Sequence, residues 1–288
     1  MSYITDYAEN KLADFVRAQG LTLPVTWYVA LLSGTPTDSS LTELSGTSYL
    51  RQGITRSLSA MAGTQGGGTT LASTGTSHAT SNNSAVNFGT AGSAWGTATH
   101  VGIFDTASGG NMWFYLPLVA PITINSGDPV SLPAGSLYMT LGLVGGMSDY
   151  LANKMIDLIF RGQAYTWPAT LYCSLFSAAP TNAGGGTEFS AGNYARVALV
   201  PSLTSLCGTQ GAGTTVASTG STGRIANNAA ITFASPNADW GTVNGQGIHD
   251  AITAGNLLFW GTPSVPKTVS SGGAAPSYDA DTLSITFA

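Results

Sequence analysis

The side chains of this chain that could support hydrolysis are a few acidic residues that recur at matching places in its two halves. These recurring acids are Asp6 and Asp149, Glu43 and Glu188, and Asp105 and Asp250. Glycoside hydrolysis needs two carboxylates that face one substrate. We expect the first pair to cap helices and the third to open hairpin turns, which leaves only the glutamates.

Each of those glutamates has an arginine eight residues further along the chain. Arg51 follows Glu43, and Arg196 follows Glu188. In a chain with so few charges, an acid and a base kept in both halves are expected to pair with each other. We therefore predict two structural ion pairs, no catalytic residues and no enzymatic activity.

The three histidines do not form a metal site by their spacing. They are His78, His100 and His249, and their counterparts in the other half are Gly223, Gly245 and Phe104. Structural zinc ligands come in short, regular spacings that are absent here. We predict surface or hydrogen-bonded histidines, with no metal and no cofactor.

Two tryptophans, Trp95 and Trp240, each precede a Gly-Thr pair and could stack against a sugar ring. A tryptophan before a tight glycine turn more commonly closes a hydrophobic core, and we favour that interpretation.

The strongest pattern is a stretch of 14 residues that occurs twice. Residues 63–76 and 208–221 differ at only three positions, and the surrounding motifs follow in the same order. Such self-similarity indicates a tandem duplication. We predict two domains, residues 1–145 and 146–288, joined at the glycine-rich stretch 142–146.

We call residues 63–76 and 208–221 the arms. They lack the lysine and the helix of a phosphate-binding loop. Glycine and threonine tolerate extended structure, so an arm could add a strand to the sheet edge of another chain. The alternative is a pair of solvated loops that have not diverged. The predicted partner-contact residues are Gly63, Thr64, Gln65, Gly66, Thr69, Thr70, Gly208, Thr209, Gln210, Gly211, Thr214 and Thr215.

The composition favours a protein that functions as part of a larger assembly. Charged residues make up 8% of the chain, against about 25% in ordinary soluble domains, while 43% are hydrophobic. The alternative is an ordinary β-rich secreted or surface protein. The net charge of −5 and the scattered basic residues argue against nucleic-acid binding, and no apolar run is long enough to span a membrane. Cys173 and Cys207, whose counterparts are Val29 and Ala62, are predicted to be buried free thiols.

The elements that must position these residues are one helix and several short strands in each half. Apolar spacing predicts helices that begin near Thr5 or Asp6 and near Ser148 or Asp149 and end before Gly20 and Gly162. The helices are expected to pack on their own domains, with partner docking as the alternative. Strands are predicted at residues 26–33, 170–177, 54–61 and 197–206, followed by further short strands. The predicted fold is mainly β: two tandem homologous β-sandwich domains, each with a short N-terminal α-helix.

The order of motifs in the second half resembles the small virion proteins of tailed bacteriophages that are labelled tail-fibre proteins. The motifs that carry this resemblance are Asp149-Tyr150, Asn153-Lys154, Pro180-Thr181, Glu188 with Tyr194 and Arg196, Asn227-Asn228, Trp240-Gly241-Thr242, Gly247-Ile248 with Asp250, Gly255-Asn256, and Lys267-Thr268-Val269. The first half resembles them more weakly. The doubled unit and the arms depart from the simple family pattern.

The resemblance implies a non-enzymatic component of the virion, assembled in the host cytoplasm and bound to other virion proteins such as capsid, tail or baseplate. A head decoration and a tail-attached fibre or spike module are both open. The alternative from another class is a receptor- or glycan-binding adhesin that uses Trp95, Trp240 and loop tyrosines. A glycan depolymerase is a more distant alternative.

Overall fold

A computed structural model describes residues 3–37, 40–141, 143–144 and 146–287 of the chain. These residues are mainly β, with two tandem units that each begin with an α-helix and whose sheets remain open. The predicted fold class is therefore confirmed. We call residues 3–144 unit 1 and residues 146–287 unit 2.

The two helices begin where predicted, but the capping residues are Thr5 and Ser148, while Asp6 and Asp149 are the first helical residues, so the expectation that these two acids cap the helices is wrong. α1 spans Asp6–Val16 and α2 spans Asp149–Arg161. The hydroxyls of Thr5 and Ser148 accept hydrogen bonds from helix N–H groups three residues on, at 3.3 and 3.1 Å. Capping hydroxyls of this kind satisfy amides that have no partner inside the helix.

Unit 1 is built on an antiparallel sheet with the strand order β1-β8-β7-β2-β3, and β4 pairs with the other part of β2. Strands β6 and β9 pair separately, as do β5 and β10. The strands of unit 1 are β1 (Tyr3–Ile4), β2 (Thr26–Ser33), β3 (Thr42–Glu43), β4 (Gln52–Thr55), β5 (Ala79–Thr80), β6 (Val86–Thr90), β7 (Gly96–Phe104), β8 (Met112–Ile124), β9 (Pro129–Leu132), β10 (Met139–Thr140) and β11 (Leu143–Val144).

Unit 2 repeats this plan with the order β13-β12-β18-β19, and β14 pairs with β12. The smaller ladders are β16 with β21, β17 with β20, and β15 with β22. The strands of unit 2 are β12 (Leu171–Ala178), β13 (Thr187–Glu188), β14 (Val197–Leu199), β15 (Arg224–Ala226), β16 (Ile231–Thr232), β17 (Gly241–Val243), β18 (Gly245–His249), β19 (Leu257–Gly261), β20 (Lys267–Val269), β21 (Ser277–Tyr278) and β22 (Ser284–Phe287).

The units are joined through their interiors as well as through the chain. Strand β11, at the end of unit 1, pairs with β22 at the end of unit 2. The indole of Trp27 donates a 2.9 Å hydrogen bond to the carbonyl of Ile159, and the rings of Phe114 and Phe160 lie 5.0 Å apart. Buried residues of both units therefore form one contiguous core.

Each helix lies between the two units. α1 packs against β8 of its own unit and β22 of the other, while α2 packs against β19 and β5. The predicted joint at 142–146 includes residues 142 and 145, which lie outside the described residues. A domain boundary between residues 145 and 146 stays a prediction.

The strands predicted at residues 54–61 and 197–206 are much shorter in the structure. β4 ends at Thr55 and β14 ends at Leu199. Ser57 and Ser202 then turn the chain, because their hydroxyls accept hydrogen bonds from main-chain amides three residues on, at 3.1 and 3.0 Å. Local bonding by serine competes with the strand ladder and ends it.

Candidate functional site

Each arm is a compact loop that is held by its own side chains. Gly63 N donates to Thr69 Oγ1 at 2.8 Å, and Gln65 Nε2 donates to the carbonyl of Ala72 at 2.7 Å. The second arm has the same bonds from Gly208 to Thr214, at 2.7 Å, and from Gln210 to Ala217, at 2.7 Å. Turns, bends and irregular backbone make up the arms, so neither is the extended strand suggested by its composition.

The arm of unit 1 binds the helix of unit 2. Asp157 on α2 accepts bonds from the amide of Ser73 at 2.9 Å and from its hydroxyl at 2.6 Å. Arg161 donates to the carbonyls of Met61 and Leu71 at 3.0 and 2.6 Å. Asn153 bonds to the hydroxyl of Thr64. Asn153, Asp157 and Arg161 are spaced one helical turn apart, so three successive turns of α2 each direct a polar side chain at unit 1.

The arm of unit 2 binds the helix of unit 1 through equivalent aspartate and asparagine contacts. Asp14 on α1 accepts bonds from the amide and the hydroxyl of Ser218, at 3.0 and 2.7 Å. Arg17 donates to the carbonyls of Leu206 and Leu203, both at 3.0 Å. Asn10 bonds to the hydroxyl of Thr209. The two contacts are thus reciprocal, because the arm of each unit binds the helix of the other.

The charges in these contacts are buried. Arg17 and Arg161 are fully buried and pair with Asp14 and Asp157 at 2.8 and 2.5 Å. Burying a charge is costly unless it is paired and its remaining polar atoms are hydrogen-bonded. Both arginines meet this condition because the opposite unit supplies a serine hydroxyl from its arm and carbonyls from the arm or from the residues just before it.

Two glycines have to be glycine for the arms to close. A side-chain carbon at Gly75 would lie 2.2 Å from the carbonyl oxygen of Thr64, and one at Gly220 would lie 2.2 Å from that of Thr209. Main-chain atoms cannot move aside easily at such distances. These internal contacts and the helix contacts account for the near-identity of the two arms.

The predicted arm residues divide into two groups by exposure. Thr64 and Thr209 are buried against the opposite helix, together with Gly63 and Gly208. The outward group is exposed or partly exposed: Gln65, Gly66, Thr69, Thr70, Gln210, Gly211, Thr214 and Thr215. A contact of the outward group with another chain stays a prediction.

Sequence reasoning missed the acids and arginines of the helices that receive the arms. The available indication was an Asp-Arg pair on each helix, Asp14 with Arg17 and Asp157 with Arg161. The different spacing of the two pairs, three and four residues, hides their equivalence.

The predicted glutamate and arginine pairs lie on the main sheets. Arg51 contacts both carboxylate oxygens of Glu43, the closer at 2.7 Å, and Arg196 contacts Glu188 in the same manner, also at 2.7 Å. Burial opposes ionisation of Glu188, but the hydrogen bonds and charge of Arg196 outweigh it and lower the pKa of that carboxyl. Such a carboxylate remains ionised and cannot serve as a proton donor near neutral pH.

Each of these arginines also fastens a hairpin. Nη1 of Arg51 donates to the carbonyls of Thr106 and Gly109 at 2.9 and 2.8 Å. Nη1 of Arg196 donates to the carbonyls of Ala251 and Ala254 at 2.7 and 2.8 Å. The arginines therefore connect the main sheet to a surface turn.

The recurring aspartates of these hairpins are used inside the turns. Asp105 accepts from the amide of Asn111 at 2.8 Å, and Asp250 accepts from that of Asn256 at 2.6 Å. No second acid is bonded to either carboxylate among the described contacts.

Trp95 and Trp240 are core residues rather than sugar platforms. They are 4% and 6% exposed, and their rings meet Tyr49 and Tyr194 edge-on at 5.2 Å. An adhesin site that uses these two tryptophans is therefore wrong, because their faces are covered by the core.

The histidines have three different environments. Nε2 of His78 lies 2.6 Å from the carboxylate of Asp149, and Nδ1 of His100 lies 2.9 Å from the hydroxyl of Thr99. His249 is buried, and both of its ring nitrogens lack a hydrogen-bond partner. Burial, together with the charge of Arg196, lowers the pKa of His249 to about 4.

The cysteines are free and buried. Burial raises the pKa of the Cys173 thiol to about 12, so this sulfur carries no reactive thiolate near neutral pH. Within the described residues, no group of three or more histidine, cysteine or acidic side chains could hold a metal ion. None of the helices described here is long and apolar enough to cross a membrane.

Comparison with known proteins identifies the repeated unit. A family model described as podophage GP4 fiber I protein gp80 matches the chain twice, over residues 3–140 and 146–286. The search among curated proteins found no match. The two matched regions coincide with the two units of the structure and include nearly the whole chain. The chain therefore belongs to the podophage GP4 fiber I protein gp80 family and carries two tandem copies of its unit.

Proposed function

We propose that this protein is a non-enzymatic structural subunit of a tailed-phage virion, a tail-attached fibre module whose two units act as one rigid block. The observation that carries this proposal is the reciprocal contact of the arms with the opposite helices. It buries two arginines and joins the units through polar bonds in addition to the shared core. A block locked in this way is suited to transmit mechanical load between its neighbours.

The repeated acids support the absence of enzymatic activity. Glu43 and Glu188 pair with arginines, and Asp105 and Asp250 close turns. A hydrolase of the glycosidase type would need two carboxylates that face one cleft. The repeated acids instead support the sheet and the hairpins.

The outward sides of the arms are the proposed contact with other virion proteins. Leu71 and Val216 stand at equivalent positions on the two arms and are 76% and 61% exposed. Glycines and threonines around them offer little charge to desolvate when a partner covers the arm. We propose that these arm surfaces bind capsid, tail or baseplate proteins when the virion assembles in the host cytoplasm.

Copy number per particle tests the location of the protein. Purified virions would be separated on a denaturing gel, and the band of this protein would be quantified against that of the major capsid protein. A tail-attached fibre module predicts a few to some tens of copies. Hundreds of copies would overturn the fibre proposal in favour of a head decoration.

Arm surface variants test the proposed contact. Leu71→Ser combined with Val216→Ser removes both exposed apolar side chains, whereas Leu50→Ser removes a comparably exposed residue outside the arms. We expect the double variant to fold normally but to be depleted from assembled virions, while the control is incorporated normally. Normal incorporation of the double variant would contradict the contact.

A further inference from the structure

The long strand β8 of unit 1 carries a protrusion in its middle. Ala98 of β7 lies opposite Ile122, and His100 lies opposite Pro117, so residues 118–121 bulge out of the ladder opposite a single residue of β7. Such bulges re-aim side chains and are treated as built features of a sheet. Leu118 packs against the core and anchors the base of the bulge. We call residues 118–122 the apolar protrusion.

The apolar protrusion has no polar side chain and an uncovered tip. Its sequence is Leu-Val-Ala-Pro-Ile. Val119 is fully exposed, and Ile122 is 40% exposed. Ala120 and Pro121 between them are exposed as well. Exposed apolar residues that stand singly need no explanation, but a contiguous group of them marks an interaction site. The tip of the protrusion is therefore a candidate contact.

A cavity of about 400 Å³ opens in unit 2 between the strands β18 and β19 and the strand β22. We call it the unit 2 cavity. Thr262 and Ser284 line it and are exposed, so it reaches the surface there. None of its lining side chains is charged. The apolar side chains that line it are buried members of the core: Ile248, Phe259, Leu283 and Ile285.

The strand register shows how unit 1 fills the matching position. Val101 of β7 lies opposite Leu116 of β8, and both belong to the core, at 0% and 5% exposed. The matching pair in unit 2 is Gln246 opposite Gly261. Unit 1 therefore completes this part of the fold with branched aliphatic side chains. Unit 2 leaves the same place open to a side chain of that kind.

The backbone does not require glycine at position 261. Gly261 lacks a positive φ, and a side-chain carbon added there would meet only the side chain of Gln246, at 3.4 Å. Open space next to a core normally costs stability, because the lining loses its packing partners. An unfilled position that the backbone does not impose is consistent with space that a side chain from another molecule fills.

The protrusion and the cavity belong to opposite halves of the chain. The prolines that close the two bulges, Pro121 and Pro266, occupy equivalent positions, which matches Val119 to Ser264. The bulge of unit 2 thus has a hydroxyl where the bulge of unit 1 has its apolar tip. Unit 1 has an apolar tip and a filled interior, whereas unit 2 has a polar tip position and an open cavity. The chain therefore carries one convex and one concave apolar surface.

A second copy of this chain matches what the unit 2 cavity lacks. The cavity accepts an uncharged aliphatic side chain on a convex segment, and Val119 is such a side chain. Because Val119 is fully exposed, it does not occupy the cavity of its own chain. Neither surface has a charge to desolvate, so covering one with the other carries little electrostatic cost. Every copy carries both surfaces, so the contact needs no other protein.

We propose that the apolar protrusion of one copy docks in the unit 2 cavity of the next copy. Val119 enters the cavity beside Gly261 and takes the place that Val101 and Leu116 fill in unit 1. Since the two surfaces differ, the contact is heterologous, and its repetition joins copies head to tail into a row or a ring. This inference concerns the purified chain and is independent of the arm contacts and of where the protein sits in the virion.

Sedimentation velocity of the full chain at rising concentration tests the contact. Wild type should form species larger than a dimer. Val119→Asp brings a charge to an apolar cavity, and Gly261→Leu fills that cavity with the residue of unit 1. We expect each to weaken association at least about tenfold, as for the loss of a central anchor. Val25→Asp changes another exposed valine, 76% exposed and outside the protrusion, and should associate like wild type.

Mixing the two variants is the decisive step. Val119→Asp keeps an open cavity and Gly261→Leu keeps an intact protrusion, so together they should form a 1:1 dimer that grows no further, at a concentration where neither associates alone. Val119 is on the surface, so its substitution leaves folding intact, and thermal unfolding checks this for both variants. A mixture that stays monomeric overturns the proposal. So does a wild type that stays monomeric or stops at a dimer, or a folded Gly261→Leu variant that associates like wild type.

Discussion

Unit 1 and unit 2 share one plan but differ sharply in which residues have been free to change. The arms and the helix residues that receive them keep equivalent aspartate, asparagine and serine contacts. Elsewhere Phe104 has become His249, and Leu116 has become Gly261. Residues that bind the opposite unit have two sets of neighbours to satisfy, which explains their constancy. Residues that serve one unit alone could diverge.

The largest loss of stability is expected when Asp157, the buried acid of α2 that binds the opposite arm, is substituted. Asp157→Asn removes the negative charge beside the fully buried Arg161 and should lower the free energy of unfolding by about 3 kcal/mol or more. Asp14→Asn should cost less, because the carboxylate of Asp14 is the more exposed of the two, 15% against 9%. Urea denaturation measures both values.

Asp281→Asn is the matched control for these acids. Asp281 pairs with Arg224 at 2.6 Å on the surface, where both side chains are well exposed, so its loss should cost less than about 1 kcal/mol. If Asp157→Asn and Asp281→Asn were equally mild, the arm contact would not be a stabilising interface.

The next effect concerns the closing glycines of the arms. Gly75→Ala and Gly220→Ala each place a carbon against a main-chain carbonyl and should cost about 1–3 kcal/mol. Because the clash is the same in both arms, the two losses should agree closely. Gly67→Ala is the control, since the added carbon would meet nothing closer than 4.0 Å. Thermal unfolding checks all three, and a clear difference between the two arms would break their equivalence.

A smaller effect of opposite sign is expected at the histidine of unit 2. His249→Phe restores the residue of unit 1 and removes two buried nitrogens that have no partner. Leaving such groups unsatisfied costs about 1–3 kcal/mol, so the variant should be more stable by roughly 1 kcal/mol at neutral pH once imperfect packing is included. The reverse change, Phe104→His, should destabilise unit 1. A less stable His249→Phe variant would contradict this explanation.

The same histidine predicts a pH dependence. Its pKa is lowered from 6.5 to about 4 in the folded chain, so the unfolded chain binds more protons between these values. Stability contributed by neutral His249 is complete above pH 6.5 and is lost as the pH falls toward 4. The loss is at most about 3 kcal/mol, from 1.36 kcal/mol per pKa unit. Wild type should lose more stability over this range than His249→Phe, and parallel profiles would exclude the effect.

The repeat, the helices and the central strands were predictable because their patterns are local. Strand β2 was predicted at its observed bounds, and both helix caps follow from one hydroxyl before an apolar stripe. The ends of β4 and β14 were not predictable, because Ser57 and Ser202 bond to the backbone in a way that the residue type permits but does not require.

The crossing of the arms was beyond the sequence for a different reason. The glycines and threonines of the arm show that a special contact exists, but they do not show which helix receives it. That choice depends on the relative placement of the two units, to which many distant residues contribute.

Hydrogen exchange of the arms, followed by mass spectrometry, tests the reciprocal contact most directly. We expect Asp157→Asn to speed exchange in residues 63–76 of the opposite unit, where Ser73 N bonds to that carboxylate. Asp14→Asn should instead speed exchange in residues 208–221, through Ser218. If each variant loosened the arm of its own unit, or neither arm, the units would not be interlocked.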